Sequence, residues 1–178
     1  MRLFVALELP PDVKDRLASL AGGLPGVRWV RPENYHLTLR FIGEVPGHLA
    51  EELDIALAGI RAKPFPLSLA GLGTFEKAGR VQSLHAVAER TPGLAHLQSK
   101  IETALQRSGL PAERKRFAPH VTLARTEGAA LPKLAGFIQA HNLFRTEPVM
   151  VERFVLFSSQ LGKEAAVYTP EVEYDLAA

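Results

Sequence analysis

The sequence predicts an α+β fold with two similar lobes related by an approximate two-fold axis. Each lobe is expected to be a small antiparallel sheet with helices on its outer face, and the two sheets to flank a central groove. Three observations predict this. The tetrapeptides HLTL at 36–39 and HVTL at 120–123 repeat one phrase 84 residues apart (120 − 36). Helix-opening prolines precede both histidines at near-equal distance, Pro11 by 25 residues (36 − 11) and Pro92 by 28 (120 − 92). Strand-opening prolines follow them, Pro66 by 30 residues (66 − 36) and Pro148 by 28 (148 − 120). Two copies at so long a period exclude a solenoid and indicate an internal duplication. With 178 residues, 47% of them hydrophobic, the chain can bury a real core. Residues 1–178 therefore read as a single domain of two lobes, each carrying one motif.

The elements follow in order. RLFVALEL at 2–9 reads as a strand. Pro11 opens a helix, where its missing N–H costs nothing, and Val13, Leu17 and Leu20 recur at helical spacing until Gly22 and Gly23 stop it. A short strand over 27–31 and the turn RPEN lead to the strand YHLTLRFIG, ended by Gly43. Leu49, Leu53, Leu57 and Ile60 predict an amphipathic helix from Gly47 to Arg61. PLSLAGLGTF at 66–75 and VQSLHAVAE at 81–89 form a hairpin about the turn EKAGR. Pro92 opens a helix lined by Leu94, Leu97, Ile101 and Leu105 and closed by Gly109. RKRFAPHVTLAR is strand-like, with Pro119 marking an edge or bend. A helix over 131–140 and the strands PVMVERFVLFSS, GKEAAVYTP and EVEYDL complete the chain.

Composition narrows the function classes. A net charge of +2 supplies no strong bias toward polyanions, while an isoelectric point near 9.0 is compatible with an acidic or phosphorylated ligand. There is no cysteine, so disulfides, thiolate catalysis and cysteine zinc sites are excluded. The N-terminal apolar run is short, carries Glu8 and ends at Pro10 and Pro11, unlike a signal peptide. No stretch approaches the roughly 20 apolar residues of a membrane span. A cytoplasmic protein without membrane association is expected, with a monomer as the simplest state.

The twin motif carries the chemistry. Side chains alternate along a strand, so His36 and Thr38 share one face while Leu37 and Leu39 share the other. The same holds for His120 and Thr122 against Val121 and Leu123. Each motif buries two aliphatic groups and presents an imidazole beside a hydroxyl. An approximate two-fold axis makes the two presented faces meet across a groove. Imidazole titrates near pH 6.5, so one neutral ring can take a proton from a nucleophile while a protonated one supplies a leaving group. Phosphodiester cleavage needs both events, and two hydroxyls can hold the non-bridging oxygens. The scheme requires neither metal nor cofactor, and two distant histidines without HExxH or clustered carboxylates do not make a zinc site.

Three arginines are candidates for further phosphate contacts. Arg116 lies four before His120 and Arg40 four after His36, so alternation puts both on the histidine face. Arg125 lies five after His120, on the opposite face of a regular strand. They rank Arg116, Arg40, Arg125, and the last two read more simply as surface charge. Tyr35 and Phe41 are aromatics able to stack on a base, but regular alternation turns both away from His36. His85 lies in a strand and can line the groove but has no matching partner, and His48, His96 and His141 read as surface residues. Gly71 and Gly73 in AGLGTF belong to no phosphate loop and indicate a bulge or turn.

RLFVALELP at the start, YHLTLRFIGEV at 35–45 and RFAPHVTLAR at 116–125 resemble the two-histidine (2H) phosphoesterase superfamily. They are most similar to its RNA 2′,3′-cyclic phosphodiesterases, also called 2′-5′ RNA ligases, and the resemblance spans essentially the whole chain. It implies hydrolysis of a 2′,3′-cyclic phosphate on RNA to a terminal 2′-phosphate. It assigns His120 as the general base that activates water and His36 as the general acid that protonates O3′. Thr38 and Thr122 would hold the phosphoryl oxygens. With an RNA 5′-hydroxyl in place of water, the same site would make a 2′-5′ linkage. Two other readings fit the residues: a non-catalytic RNA- or nucleotide-binding module, and the same chemistry on small cyclic nucleotides or 2′-5′ oligoadenylates.

Overall fold

The structure, a computed structural model, describes residues 1–177. Among these residues the α+β architecture has four helices and two antiparallel sheets. The first half of the chain runs β1 (Arg2–Glu8), α1 (Pro11–Ala18), β2 (Arg28–Trp29), a 3-10 turn (Pro32–Asn34), β3 (His36–Glu44), α2 (Gly47–Ala58), β4 (Phe65–Leu67) and β5 (Leu69–Lys77). The second runs β6 (Arg80–Ala88), α3 (Pro92–Arg107), β7 (His120–Arg125), α4 (Leu131–His141), β8 (Val149–Val151), β9 (Arg153–Leu161) and β10 (Ala166–Asp175). Three of these helices, α1, α3 and α4, carry a proline in their first turn, and Thr91 accepts from the Leu94 N–H to cap α3.

The strand order is β10-β9-β1-β3-β7-β6-β5, with β2 also on β7. β3 and β7 each carry a motif, and they meet at a seam of one residue pair, Leu37 with Val121. Matching the halves puts β1 with β6, β3 with β7, β4 with β8 and β5 with β9. The lobes are therefore interlaced. β5, from the first half, pairs with β6, and β9, from the second, pairs with β1. β4 and β8 pair with each other as the second sheet.

Several boundaries differ from the sequence reading for local reasons. The predicted strand 66–75 is two strands parted at Ser68, because β4 pairs with β8 in the small sheet while β5 pairs with β6 in the large one; Gly71 at φ +80° then sits in a bulge within β5, between Leu69 and Leu72. The stretch RKRFAP is irregular, and β7 begins only at His120. The two final predicted strands form one, β10, with a bulge between Pro170 and Val172. Among the described residues no helix is long and apolar enough to cross a membrane.

The sheet has two unlike faces. Leu3, Val5, Leu7, Leu37, Leu39, Val121 and Leu123 join the helical leucines in the main core. On the other face, Phe4, Ala6, Val155 and Phe157 form a small separate cluster with Tyr168 against it. The helices cover the first face, which leaves the second to the histidines.

Candidate functional site

His36 and His120 begin their strands one position before the Leu37–Val121 pair, so the seam brings the two motifs together from opposite directions. The buried aliphatic positions match expectation: Leu37, Leu39, Val121 and Leu123 are all at most 3% exposed, while both histidines and both threonines are half-buried. Each imidazole is held in the same way. His36 Nδ1 lies 2.7 Å from the Asn34 carbonyl and His120 Nδ1 2.7 Å from the Ala118 carbonyl, two residues upstream in both cases. A carbonyl only accepts, so Nδ1–H donates, and Nε2 of each ring is left free among the described residues. The Asn34 side chain fixes its own turn by donating to the Ala166 carbonyl at 3.0 Å.

The walls are aromatic. Around His36 stand Phe4 at 4.9 Å between centroids and Tyr168 edge-on at 5.2 Å. Around His120 stand Phe75 edge-on at 4.7 Å and His85 at 4.9 Å. Burial lowers the pKa of both motif histidines, partly opposed by their carbonyl bonds. His36 is lowered further by charge on His120 and on Lys14. A proton on one ring thus disfavours a proton on the other, which suits one acid and one base.

Bulges rearrange the flanking residues. In β3, Thr38 pairs with Ala6 and Arg40 with Val5, so Leu39 is the extra residue. In β7, Thr122 pairs with His85 and Ala124 with Leu84, so Leu123 is the extra residue. After each extra residue the alternation inverts. Arg40 does not share the His36 face: it is 8% exposed and ion-paired through Nε to Glu102 of α3 at 2.7 Å. Phe41 takes the groove side instead, 63% exposed and 6.0 Å from Phe4. By the same inversion Arg125, across from Ser83, lies on the face of His85. Arg116 is exposed in the irregular segment before β7, where strand alternation does not operate. Tyr35 is buried in the main core.

His85 is the residue that sequence reasoning left aside. Its signal was its place in a strand between the buried Leu84 and Ala86, but only the register shows that it faces Thr122. A cavity of ≈580 Å³ lies elsewhere, between α2 and α3, lined by Ile55, Ile60, Lys100 and Arg107 among others. Its lining contains neither motif, and the histidines face the opposite side of the sheet.

The seam thus sets one HxT strand on each side of it, with His36 and Thr38 on β3 and His120 and Thr122 on β7. The model of the LigT-like phosphoesterase family matches residues 7–82 and 86–168. The chain belongs to the LigT-like phosphoesterase family. It is 35% identical over 148 residues to an RNA 2′,3′-cyclic phosphodiesterase of Aeropyrum pernix, covering 82% of this chain and 84% of that one. It is 30% identical over 176 residues to the protein of that name from Thermotoga maritima, covering 94% and 91%. Among solved structures, the protein TT0787 of Thermus thermophilus superposes with a TM-score of 0.82 at 28% identity, covering 99% of this chain and 98% of that one. LigT of E. coli in complex with 3′-AMP superposes with a TM-score of 0.81 at 26% identity, with the same coverage.

Proposed function

We propose that this protein hydrolyses 2′,3′-cyclic phosphate ends of RNA to 2′-phosphates by paired imidazole acid–base catalysis. The observation that carries the reading is the twin environment of His36 and His120, each with Nδ1 engaged by a carbonyl and Nε2 free among the described residues. The relatives named RNA 2′,3′-cyclic phosphodiesterase and the 3′-AMP complex of E. coli LigT support the substrate class.

The cyclic phosphate lies between the two rings. His120 Nε2 accepts a proton from water as its oxygen attacks phosphorus, and His36 Nε2 gives a proton to O3′ as the P–O3′ bond breaks. The order of the two roles follows the family resemblance. Thr38 and Thr122 donate to the non-bridging oxygens, and Arg125 offsets charge on the phosphoryl group. With an RNA 5′-hydroxyl in place of water, His120 takes the proton of the 5′-OH as its oxygen attacks phosphorus, the P–O3′ bond breaks with a proton from His36, and a 2′-5′ linkage results. The same reading takes residues 1–178 as one domain of two lobes, acting as a cytoplasmic monomer on RNA ends.

The test is RNA ending in a 2′,3′-cyclic phosphate, incubated in EDTA and analysed for its terminal phosphate. The expected product is the 2′-phosphate, with His36→Ala and His120→Ala each reducing kcat by about 10²–10⁴. On a phosphodiester with a p-nitrophenolate leaving group, which needs no proton, His36→Ala should recover and His120→Ala should not. A 3′-phosphate product, or full turnover by either variant on RNA, would overturn the proposal.

A further inference from the structure

Beside His120 lies a third imidazole that this reaction does not use. His85 projects from β6 on the groove face, across from Thr122, and is 6% exposed. Its ring centroid is 4.9 Å from that of His120 and 4.4 Å from that of Phe75, on which it stacks. Phe75 in turn meets His120 edge-on, so the three rings close a triangle. His85 Nδ1 is buried without a hydrogen-bond partner among the described residues. Buried polar atoms are nearly always paired, so an unpaired one calls for a reason. Burial and the neighbouring His120 hold the His85 pKa down at about 4, which leaves the ring uncharged at neutral pH.

The seat of this ring is Gly73 on β5. A Cβ there would stand 2.8 Å from His85 Nε2 and 3.3 Å from Cε1. Gly73 is not among the residues at positive φ. Space, not backbone conformation, is what calls for glycine at this position. The first lobe lacks the same ring, because the residue across from Thr38 is Ala6.

A ring anchored through one hydrogen bond can still swing about that bond. His120 has one such anchor, at the Ala118 carbonyl. The flat faces and edges of neighbouring rings remove the remaining freedom, and small errors in the aim of a catalytic group are costly. We propose that His85, seated on Gly73, is a positioning residue for His120, fixing with Phe75 the ring plane in which Nε2 meets the attacking water. The inference rests on the two-histidine reading above.

The experiment is steady-state kinetics on cyclic-phosphate-ended RNA with His85→Ala, Gly73→Ala, the double variant, and His120→Ala as control. His85→Ala and Gly73→Ala should each lower kcat about tenfold and leave KM within about twofold, since aim and not affinity is lost. The double variant should be no slower than His85→Ala alone, because the added methyl acts only through the ring. Wild-type kcat in His85→Ala, or losses that multiply in the double variant, would overturn the proposal. Should His85→Ala fail to fold, Gly73→Ala decides by itself: a wild-type kcat there has the same consequence. Full turnover by His120→Ala would instead sink the two-histidine reading, whereas an inactive His120→Ala beside an unaffected His85→Ala removes only this inference.

Discussion

His36, His120 and His85 are all imidazoles whose burial disfavours the charged form. Their folded pKa values lie below the usual 6.5, so as pH falls the unfolded chain binds protons first. Stability contributed by these groups is full above about pH 6.5 and is lost progressively down to the folded value, about 4 for His85. For His85 alone the loss between pH 7.5 and 5 is on the order of 2 kcal/mol. Urea unfolding at those two pH values should therefore show a wild-type midpoint that falls, and a His85→Leu midpoint that falls less. Parallel behaviour of the two proteins would contradict a buried neutral His85. The pH 5 limit keeps Glu102 out of the comparison, since its carboxyl, held at about 2 chiefly by the Arg40 hydrogen bond, loses its contribution as pH falls from the ordinary 4.5 to about 2. At this scale the sequence was informative where a residue type repeats in a repeated context, as with both histidines and both threonines. His85 has no twin, and its neighbour Thr122 is set by strand pairing that no local pattern reveals.

The bulge at the last residue of each motif decides which face the following arginine takes. The leucine that ends each HxTL phrase is the extra residue, so the fourth position after each histidine goes to the core side and the fifth to the groove side. Counting by two along the strand gives the reverse, which is why alternation favoured Arg40 over Arg125 and turned Phe41 away. A bulge leaves no mark in an apolar phrase whose buried residues stay apolar, so this part of the site was not legible. What the displaced Arg40 does is visible in its contacts. Glu102 accepts from its Nε at 2.7 Å and Nη2 at 3.3 Å, while the guanidinium also donates to the carbonyls of Phe41 and Pro111. Glu102 further accepts from the Glu113 N–H at 2.9 Å, so the pair ties β3, α3 and the segment leading to β7 together. Removing one partner of a buried pair strands the other charge and costs roughly 3–5 kcal/mol. The two arginines should thus separate cleanly in mutagenesis. Arg40→Ala should lower the unfolding midpoint by several degrees in a thermal melt. Arg125→Ala should leave the midpoint in place and lower kcat/KM about tenfold or more, the loss of one charge-assisted bond to phosphate. An Arg125→Ala enzyme with unchanged kcat/KM would show that the inverted register does not deliver this side chain to substrate.

The duplication was legible in the spacing of prolines and histidines, but not the way its halves exchange strands. Offsets along the chain report which elements correspond, whereas pairing partners depend on where the loops carry them. Because β5 pairs with β6 and β9 with β1 within the one large sheet, neither half holds its own lobe intact. β2 adds a further crossing: Arg28 and Trp29 come from the first half and pair with Arg125 and Ala124 of the second. The Trp29 ring lies 5.7 Å from Phe137 of α4, also in the second half. Loss of either half's packing should then remove the edge strand of the other lobe, and the molecule should unfold as one cooperative unit. The chain supplies its own probe, since Trp29 is the sole tryptophan. Its fluorescence reports contact between the halves, while far-UV circular dichroism reports helices and strands throughout. In urea the two signals should trace one transition with a common midpoint and slope. If the lobes were independent, the tryptophan signal would follow the second lobe alone, and the dichroism curve would show an additional step at another urea concentration. Two resolved midpoints would therefore mean that the exchanged strands do not couple the lobes, and that the pair of histidines is brought together only by the single Leu37–Val121 seam.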